Sequence, residues 1–127
     1  SVKRGNSTLL DDTAYKSKLA ELEIDLLATE FTELRSLASA ANGAEPGPES
    51  SILKLKGTEI QQRIQKLTVE AGGLYAAAWG KKPVGHGFAK AGMSGYLSSR
   101  AYTIYGGASE VQKDVIAKNV LGLKKAK

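Results

Sequence analysis

The stretch Arg100-Ala101-Tyr102-Thr103-Ile104-Tyr105-Gly106-Gly107-Ala108-Ser109-Glu110-Val111-Gln112 is the part of this chain whose residue types and spacing best suit chemistry. It reads as the end of one helix, a glycine break and the start of another. A helix N-terminus presents free amides and a partial positive charge. Glycines just before it let a flat ligand come close to the backbone. The segment is therefore suited to hold an anion or the polar edge of an aromatic cofactor. A tight interhelical turn with a polar cap would use the same residues, and both readings stand at this point.

Other groups that could do chemistry point to blander roles. The single histidine, His86, lies between two glycines. It is a poor basis for a metal site or a nucleophile–base pair, and a solvent or packing role is expected. Glu21, Glu23, Asp25, Glu30 and Glu33 crowd one segment. Acid/base work would need environments that push their pKa values apart, and a di-iron site would need Glu-x-x-His, which is missing. They read as a solvated helix face. There is no Gly-x-Gly-x-x-Gly and no P-loop, and Gly80, Gly85 and Gly87 have loop spacing. No metal site is expected.

The elements that must position the Arg100–Gln112 segment are helices. Asp11 or Asp12 can cap the first, because a short carboxylate accepts the orphan amides of the first turn. Its apolar residues step by four and three through Ala20, Ile24, Leu27, Phe31, Leu34, Ala38 and Ala41, widened by Leu19, Leu22 and Leu26. Glu21, Asp25, Glu30 and Arg35 fall on the opposite, solvent-facing side. Asn42-Gly43 supplies a stop, and the turn at Glu45-Pro46-Gly47-Pro48-Glu49 follows. The second helix is expected to start on a Ser50 or Ser51 cap. Its stripe is Leu53, Gly57, Ile60, Ile64, Leu67 and Ala71, and it ends at Gly72-Gly73. A mid-helix glycine costs about 1 kcal/mol against alanine, so Gly57 is expected to meet a neighbouring backbone. Residues 74–92 read as a loop that packs Trp79 and Phe88 on the helices. A third helix is expected from Ser94 to Tyr105 with Leu97, Ala101 and Ile104 on one face. Gly106-Gly107 breaks it, and a fourth runs from Ala108-Ser109 through Val111, Val115, Ile116 and Val120 to Gly122. Amphipathic helices with short connections imply an all-α protein, an antiparallel up-and-down four-helix bundle.

Bulk properties agree with one such domain over residues 1–127. The chain is 42% hydrophobic and 24% charged, as soluble globular proteins are. No apolar run approaches the roughly 20 residues that span a bilayer, so no membrane partner is expected. The start, Ser1-Val2-Lys3-Arg4-Gly5-Asn6, is not of signal-peptide type. With no cysteine there is no disulfide framework, and a cytoplasmic location fits. The net charge of +5 sits largely at the ends, in Lys3, Arg4, Lys124, Lys125 and Lys127. No nucleic-acid-reading motif accompanies it, so these read as solubilising tails and no nucleic-acid partner is expected. A start without Met that enters a helix within a dozen residues suggests a fragment of a larger protein.

Ile104-Tyr105-Gly106-Gly107-Ala108-Ser109-Glu110-Val111-Gln112, followed by Ile116-Ala117 and Val120-Leu121-Gly122-Leu123, closely resembles the C-terminal signature of acyl-CoA dehydrogenases. Ser51-Ile52-Leu53-Lys54-Leu55-Lys56-Gly57-Thr58-Glu59-Ile60-Gln61-Gln62 is similar to the matching helix of bacterial members. The resemblance implies a three-domain enzyme: an N-terminal helical domain, a middle β domain and this bundle, with FAD between the domains and at a subunit interface. It implies an acyl-CoA substrate, α-proton removal by a glutamate, and hydride loss from the β-carbon to the flavin. It implies an electron-transfer flavoprotein as electron acceptor and a homo-oligomer, dimer or tetramer, or a paired unlike subunit. Carried over residue by residue, Tyr105, Gly106 and Gly107 match substrate-site positions. Ala108, Glu110, Gly72 and Gly73 match cofactor-site positions. Gly106 stands where many members carry the catalytic glutamate, and Ala108 where many carry threonine. Gly106 leaves three readings open: a base upstream, a base-lacking partner subunit, or lost activity. No catalytic residue is expected in this chain, which alone is expected to be inactive. A non-catalytic module that completes a partner's site is the alternative.

Overall fold

The computed structural model describes residues 2–45, 47–78, 85 and 87–123. Trp79, Gly80, Pro83, His86 and the lysines at 124, 125 and 127 lie outside the described residues, and so do the expectations placed on them. The chain is all-α apart from a small N-terminal hairpin, β1 (Lys3–Arg4) and β2 (Ser7–Thr8), which pair antiparallel. A 3-10 turn, Leu9–Asp11, follows. The Asp11 carboxylate accepts from the backbone N–H of Thr8 at 2.7 Å and its Oγ1 at 2.9 Å. Those bonds, the backbone one first, hold its pKa below the ordinary carboxylate value.

Helix α1 spans Thr13–Ala41. Asp12 caps it, its side chain accepting from Tyr15 N at 3.1 Å, so the second of the two expected caps is the one used. Helix α2 spans Glu49–Gly72, and its N-cap is Pro48 rather than either serine. Pro48 has a helical φ of −70°, and the first turn closes with Ser51 N–H on Pro48 O at 3.0 Å without a side-chain cap. Ser50 instead donates back to Gly47 O at 3.3 Å, and Ser51 is buried.

The two long helices run antiparallel, with Tyr15 opposite Leu67 and Asp25 opposite Arg63. Leu22, Ile60 and Leu67 form the core between them, flanked by Tyr15 and Leu19. This corrects the expected face of α1. Ile24 and Phe31 stay 66% and 69% exposed, and Leu27 and Leu34 are exposed too. Glu21 and Asp25, expected in solvent, meet the Arg63 guanidinium of α2. Apolar residues occupy so much of the circumference of α1 that α2 covers only one flank, chosen by where Ile60, Arg63 and Leu67 sit. The other flank has no cover among the described residues.

The expectation at Gly57 is also corrected. Gly57 is exposed, and a Cβ built there meets nothing within 4 Å. Gly57→Ala is therefore expected to stabilise the protein by about 0.5–1 kcal/mol, the ordinary helix preference. Urea unfolding midpoints of the two proteins check this, and a lower midpoint for the alanine variant would mean that something does approach Gly57.

Tyr15 donates to Leu67 O at 3.1 Å and is half-buried. Desolvation, then the nearby Glu70 carboxylate, raises its phenol above the ordinary value against smaller opposing effects of Arg4 and Lys18. The folded chain thus holds this proton more tightly than the unfolded chain. The stabilisation is fully present below about pH 10 and is lost as pH rises through the raised value. The stability of wild type relative to Tyr15→Phe, measured by urea unfolding, is expected to fall across that range. A pH-independent difference would count against this account.

Beyond α2 the sequence expectation of a plain loop gives way to 3-10 segments at Gly73–Ala77 and Gly87–Ala91. Their Ala76 and Ala89 are 1% and 0% exposed, packed at the end of α2. Phe88, though partly exposed, lines an apolar concavity of about 450 Å³ with Leu9, Tyr15, Leu22 and Leu67. Helix α3 is Gly92–Ser98, continued as a 3-10 turn over Ser99–Thr103. It starts earlier and ends earlier than the 94–105 span expected. Leu97 and Ile104 are exposed, and small residues, Gly92 and Ser99, are buried instead. Helix α4 is Ser109–Asn119, shorter than expected, with no buried residue. Helix α2 is the hub: it packs against α1, α3, the 3-10 turn and α4, so the four helices pack together around it. Among the described residues no helix is long and apolar enough to cross a membrane, and no three His, Cys, Asp or Glu side chains could share a metal.

Candidate functional site

The site is built on the run from α3 to α4. The last carbonyls of a helix have no intrahelical partner and must be satisfied elsewhere. Here each of four consecutive carbonyls is taken. Ser99 O accepts from Gln62 Nε2 at 3.0 Å, and Arg100 O from Thr103 Oγ1 at 2.9 Å. Ala101 O accepts from the N–H groups of Ile104 and Tyr105 at 2.9 and 3.1 Å. Tyr102 O accepts from Lys54 Nζ at 3.0 Å. Two of these donors, Lys54 and Gln62, reach over from α2. Ser99 is wholly buried, its hydroxyl donating to Tyr96 O at 2.7 Å and accepting from Arg100 Nη2 at 3.1 Å. The Arg100 guanidinium lies 4.6 Å from the Tyr96 ring centre.

The chain then makes the turn that the two glycines permit. Gly106 has φ +68° and Gly107 φ +97°, a region that L side chains rarely enter. A Cβ on Gly106 would meet open space. A Cβ on Gly107 would lie 2.2 Å from Gln112 Nε2, so the Gln112 amide folds back over that glycine. The Tyr102 and Tyr105 rings meet edge to face, centres 5.6 Å apart at 68°. Tyr105 is 57% exposed. Desolvation, with a smaller contribution from Tyr102, raises its phenol above the ordinary value, so at neutral pH it is a neutral hydroxyl.

Ala108 is the N-cap of α4 and offers no side-chain cap. The first helical bond there is Gln112 N to Ala108 O at 3.0 Å. The amides of Ser109, Glu110 and Val111 thus form an uncapped, electropositive helix end. Glu110 lies in that first turn and is exposed. Tyr105, Gly106, Gly107, Ala108 and Glu110 are accordingly brought together in one turn.

Gly72 and Gly73 are not part of that cluster. Lys54 marks where α2 meets the turn region, and Gly72 lies roughly 27 Å farther along the helix axis at 1.5 Å per residue. Gly73 closes α2 with φ +55°. Gly72 is buried, and a Cβ on it would stand 2.6 Å from Ala76 Cβ and 3.0 Å from Ala89 Cβ. Within one chain, the two groups of expected cofactor residues occupy opposite ends of α2. Lys54 and Gln62 are contributors that sequence reasoning missed. On the sequence they are an ordinary lysine and glutamine of a helix, and their partners are backbone carbonyls 48 and 37 residues away.

The family model for the acyl-CoA dehydrogenase C-terminal domain matches residues 1–121. The acyl-CoA dehydrogenase IpdE1 of Mycolicibacterium smegmatis is 28% identical over 113 residues, which cover 89% of this chain and 26% of that protein. The chain thus spans about a quarter of the length of that curated relative. No solved structure matches significantly. With all-α architecture, a glycine turn leading into an uncapped helix, and a family match over nearly its whole length, the chain belongs to the acyl-CoA dehydrogenase C-terminal domain family.

Proposed function

We propose that this chain serves as the C-terminal domain of an FAD-dependent enzyme that introduces an α,β double bond into an acyl-CoA thioester. In this reading it is one of three domains, beside an N-terminal helical domain and a middle β domain. The observation that carries the reading is the turn Tyr105–Ala108, stripped of side chains at Gly106 and Gly107 and opening onto the uncapped amides of α4. Those features fit a flat, anionic cofactor: no Cβ blocks approach at Gly106, and the free helix end favours negative charge. Ala108 and Glu110 would hold FAD from this side, and the exposed Gly73, with Gly72 packed beneath it, would lie near the FAD of a neighbouring subunit. Bound FAD would supply the acceptor for the hydride leaving the β-carbon.

The chain's own residues bind and orient. Tyr105, Gly106 and Gly107 line the thioester end of the acyl chain, and the Tyr105 hydroxyl offers a neutral donor. Glycine cannot accept a proton, so Gly106 assigns the α-proton to a base supplied upstream in the protein or by a paired subunit. The uncovered flank of α1, with Ile24, Leu27, Phe31 and Leu34, supports a role in packing against the rest of the enzyme or a second subunit. Electrons would leave to an electron-transfer flavoprotein.

A second reading follows from Gly106: a non-catalytic module that completes a partner's site. One experiment separates the two. The full-length protein is purified with any paired subunit, its visible spectrum recorded, and saturated acyl-CoA thioesters added without oxygen. Bleaching of the flavin band by one thioester class supports the dehydrogenase. With the paired subunit present, bound flavin without bleaching points to a lost base and counts against the dehydrogenase, and a colourless protein favours the module.

A further inference from the structure

We propose that Lys54 is a positioning residue for the Tyr105–Ala108 turn, acting through the Tyr102 carbonyl and assisted by Gln62 on Ser99. The inference rests on the reading above, in which that turn lines the thioester and flavin. Lys54 is half-buried, and among the described residues its ammonium pairs with no carboxylate. Its charge falls instead on a carbonyl at the C-terminal end of the α3 and 3-10 run, where the helical dipole concentrates negative charge. A charged donor on a single carbonyl makes a stronger bond than a neutral one, and a partly desolvated ammonium loses much if that bond is removed.

The position of the bond gives it leverage. Upstream, the N–H groups of Ile104 and Tyr105 both return to Ala101 O. The next backbone bond is from Gln112 N to Ala108 O. Among the described residues, Gly106, Gly107 and Ala108 donate no backbone bond, so the turn takes its place from its two ends. Lys54 holds the upstream end three residues before Tyr105, on the residue whose ring also packs against Tyr105. Gln62 holds the same run one turn earlier at Ser99. Together they tie the start of the turn to α2, the helix on which the rest of the domain packs. Reactions of this type are sensitive to small displacements of the groups that orient substrate, which makes such a tether a determinant of turnover.

The test uses the full-length flavoprotein, with Lys54→Met to keep the stem but lose the donor, and Lys54→Arg to keep a cationic donor. Amide hydrogen exchange over Ser99–Gln112 is measured beside kcat and KM for an acyl-CoA thioester that bleaches the wild type. In Lys54→Met, exchange at Ile104 and Tyr105 is expected to accelerate about tenfold, and kcat to fall about tenfold with a smaller change in KM. Lys54→Arg is expected to recover most of both. Unchanged exchange in Lys54→Met overturns the tether, and faster exchange with unchanged kcat overturns its positioning role. If Lys54→Met does not fold, Lys54→Arg decides: near wild-type exchange and turnover support the proposal, and tenfold losses in both overturn it. A wild type that no thioester bleaches defeats the dehydrogenase reading and the positioning role that rests on it, and the exchange arm alone then decides whether the tether exists.

Discussion

Gly107→Val is expected to lower the unfolding free energy of the domain by about 2–3 kcal/mol and, on the function proposed above, to cost the full-length protein bound flavin. The cause is the backbone. Gly107 sits at φ +97°, and a β-branched residue there is a genuine steric outlier. The close approach to Gln112 Nε2 is a minor matter, because that amide is the free end of a flexible side chain and can swing away. Gly107→Ala, with the same backbone penalty but no branching, is expected to lose less, about 1–2 kcal/mol. Urea unfolding followed by far-UV circular dichroism measures both, and the flavin-to-protein absorbance ratio reports the cofactor. Wild-type stability together with full flavin content in the valine variant would refute the account.

Gly72→Val is expected to cost a similar amount, about 2–3 kcal/mol, for an unrelated reason. The backbone at Gly72 is ordinary helix, with φ −73°, and would accept any L residue. The space beside it would not. The new Cβ would press on Ala76 Cβ at 2.6 Å and Ala89 Cβ at 3.0 Å. Both methyls are one bond from their own backbones and are fully enclosed, so the two 3-10 segments must part from α2 to admit the side chain. Gly72→Ala is expected to destabilise as well, by a smaller margin. The pair makes a sharp contrast with Gly57 on the same helix, where alanine is expected to help. If thermal unfolding places Gly72→Val level with wild type, the packing described at the end of α2 is wrong.

That contrast also shows what periodicity can and cannot convey. Gly57 and Gly72 are the same residue on one helix, and counting by threes and fours assigned close packing to Gly57. The close approach falls at Gly72, because the segments that create it, around Ala76 and Ala89, arrive from later in the chain. Helix α1 gives a parallel lesson. Its existence, its start at one of the two aspartates Asp11 and Asp12, and its end before Gly43 were all legible, since caps and stops act through neighbouring residues. Its buried face was not. With Leu19, Leu22 and Leu26 on one side and Ile24, Leu27 and Phe31 on another, α1 can pack either way, and Arg63 and Ile60 of α2 choose the flank that contains Asp25. The 3-10 character of Ser99–Thr103 escaped for another reason: it changes the hydrogen-bond step without changing residue type. The turn itself was readable because consecutive glycines before a new helix state a backbone requirement directly. The contributions of Lys54 and Gln62 were not, because a carbonyl acceptor looks the same at every residue.

The uncovered flank of α1 has a thermal consequence. On one side α1 is held to α2 by ions and hydrogen bonds as well as apolar contact, through Lys18, Glu21, Asp25 and Tyr15. On the other it offers Ile24, Leu27, Phe31 and Leu34 with far less polar help. A joint formed along such a flank is driven by the release of water and weakens on cooling. If the chain packs along this flank as the proposed function has it, that seam would be the cold-labile one, the place where chilling loosens the domain while its internal helix pairing holds.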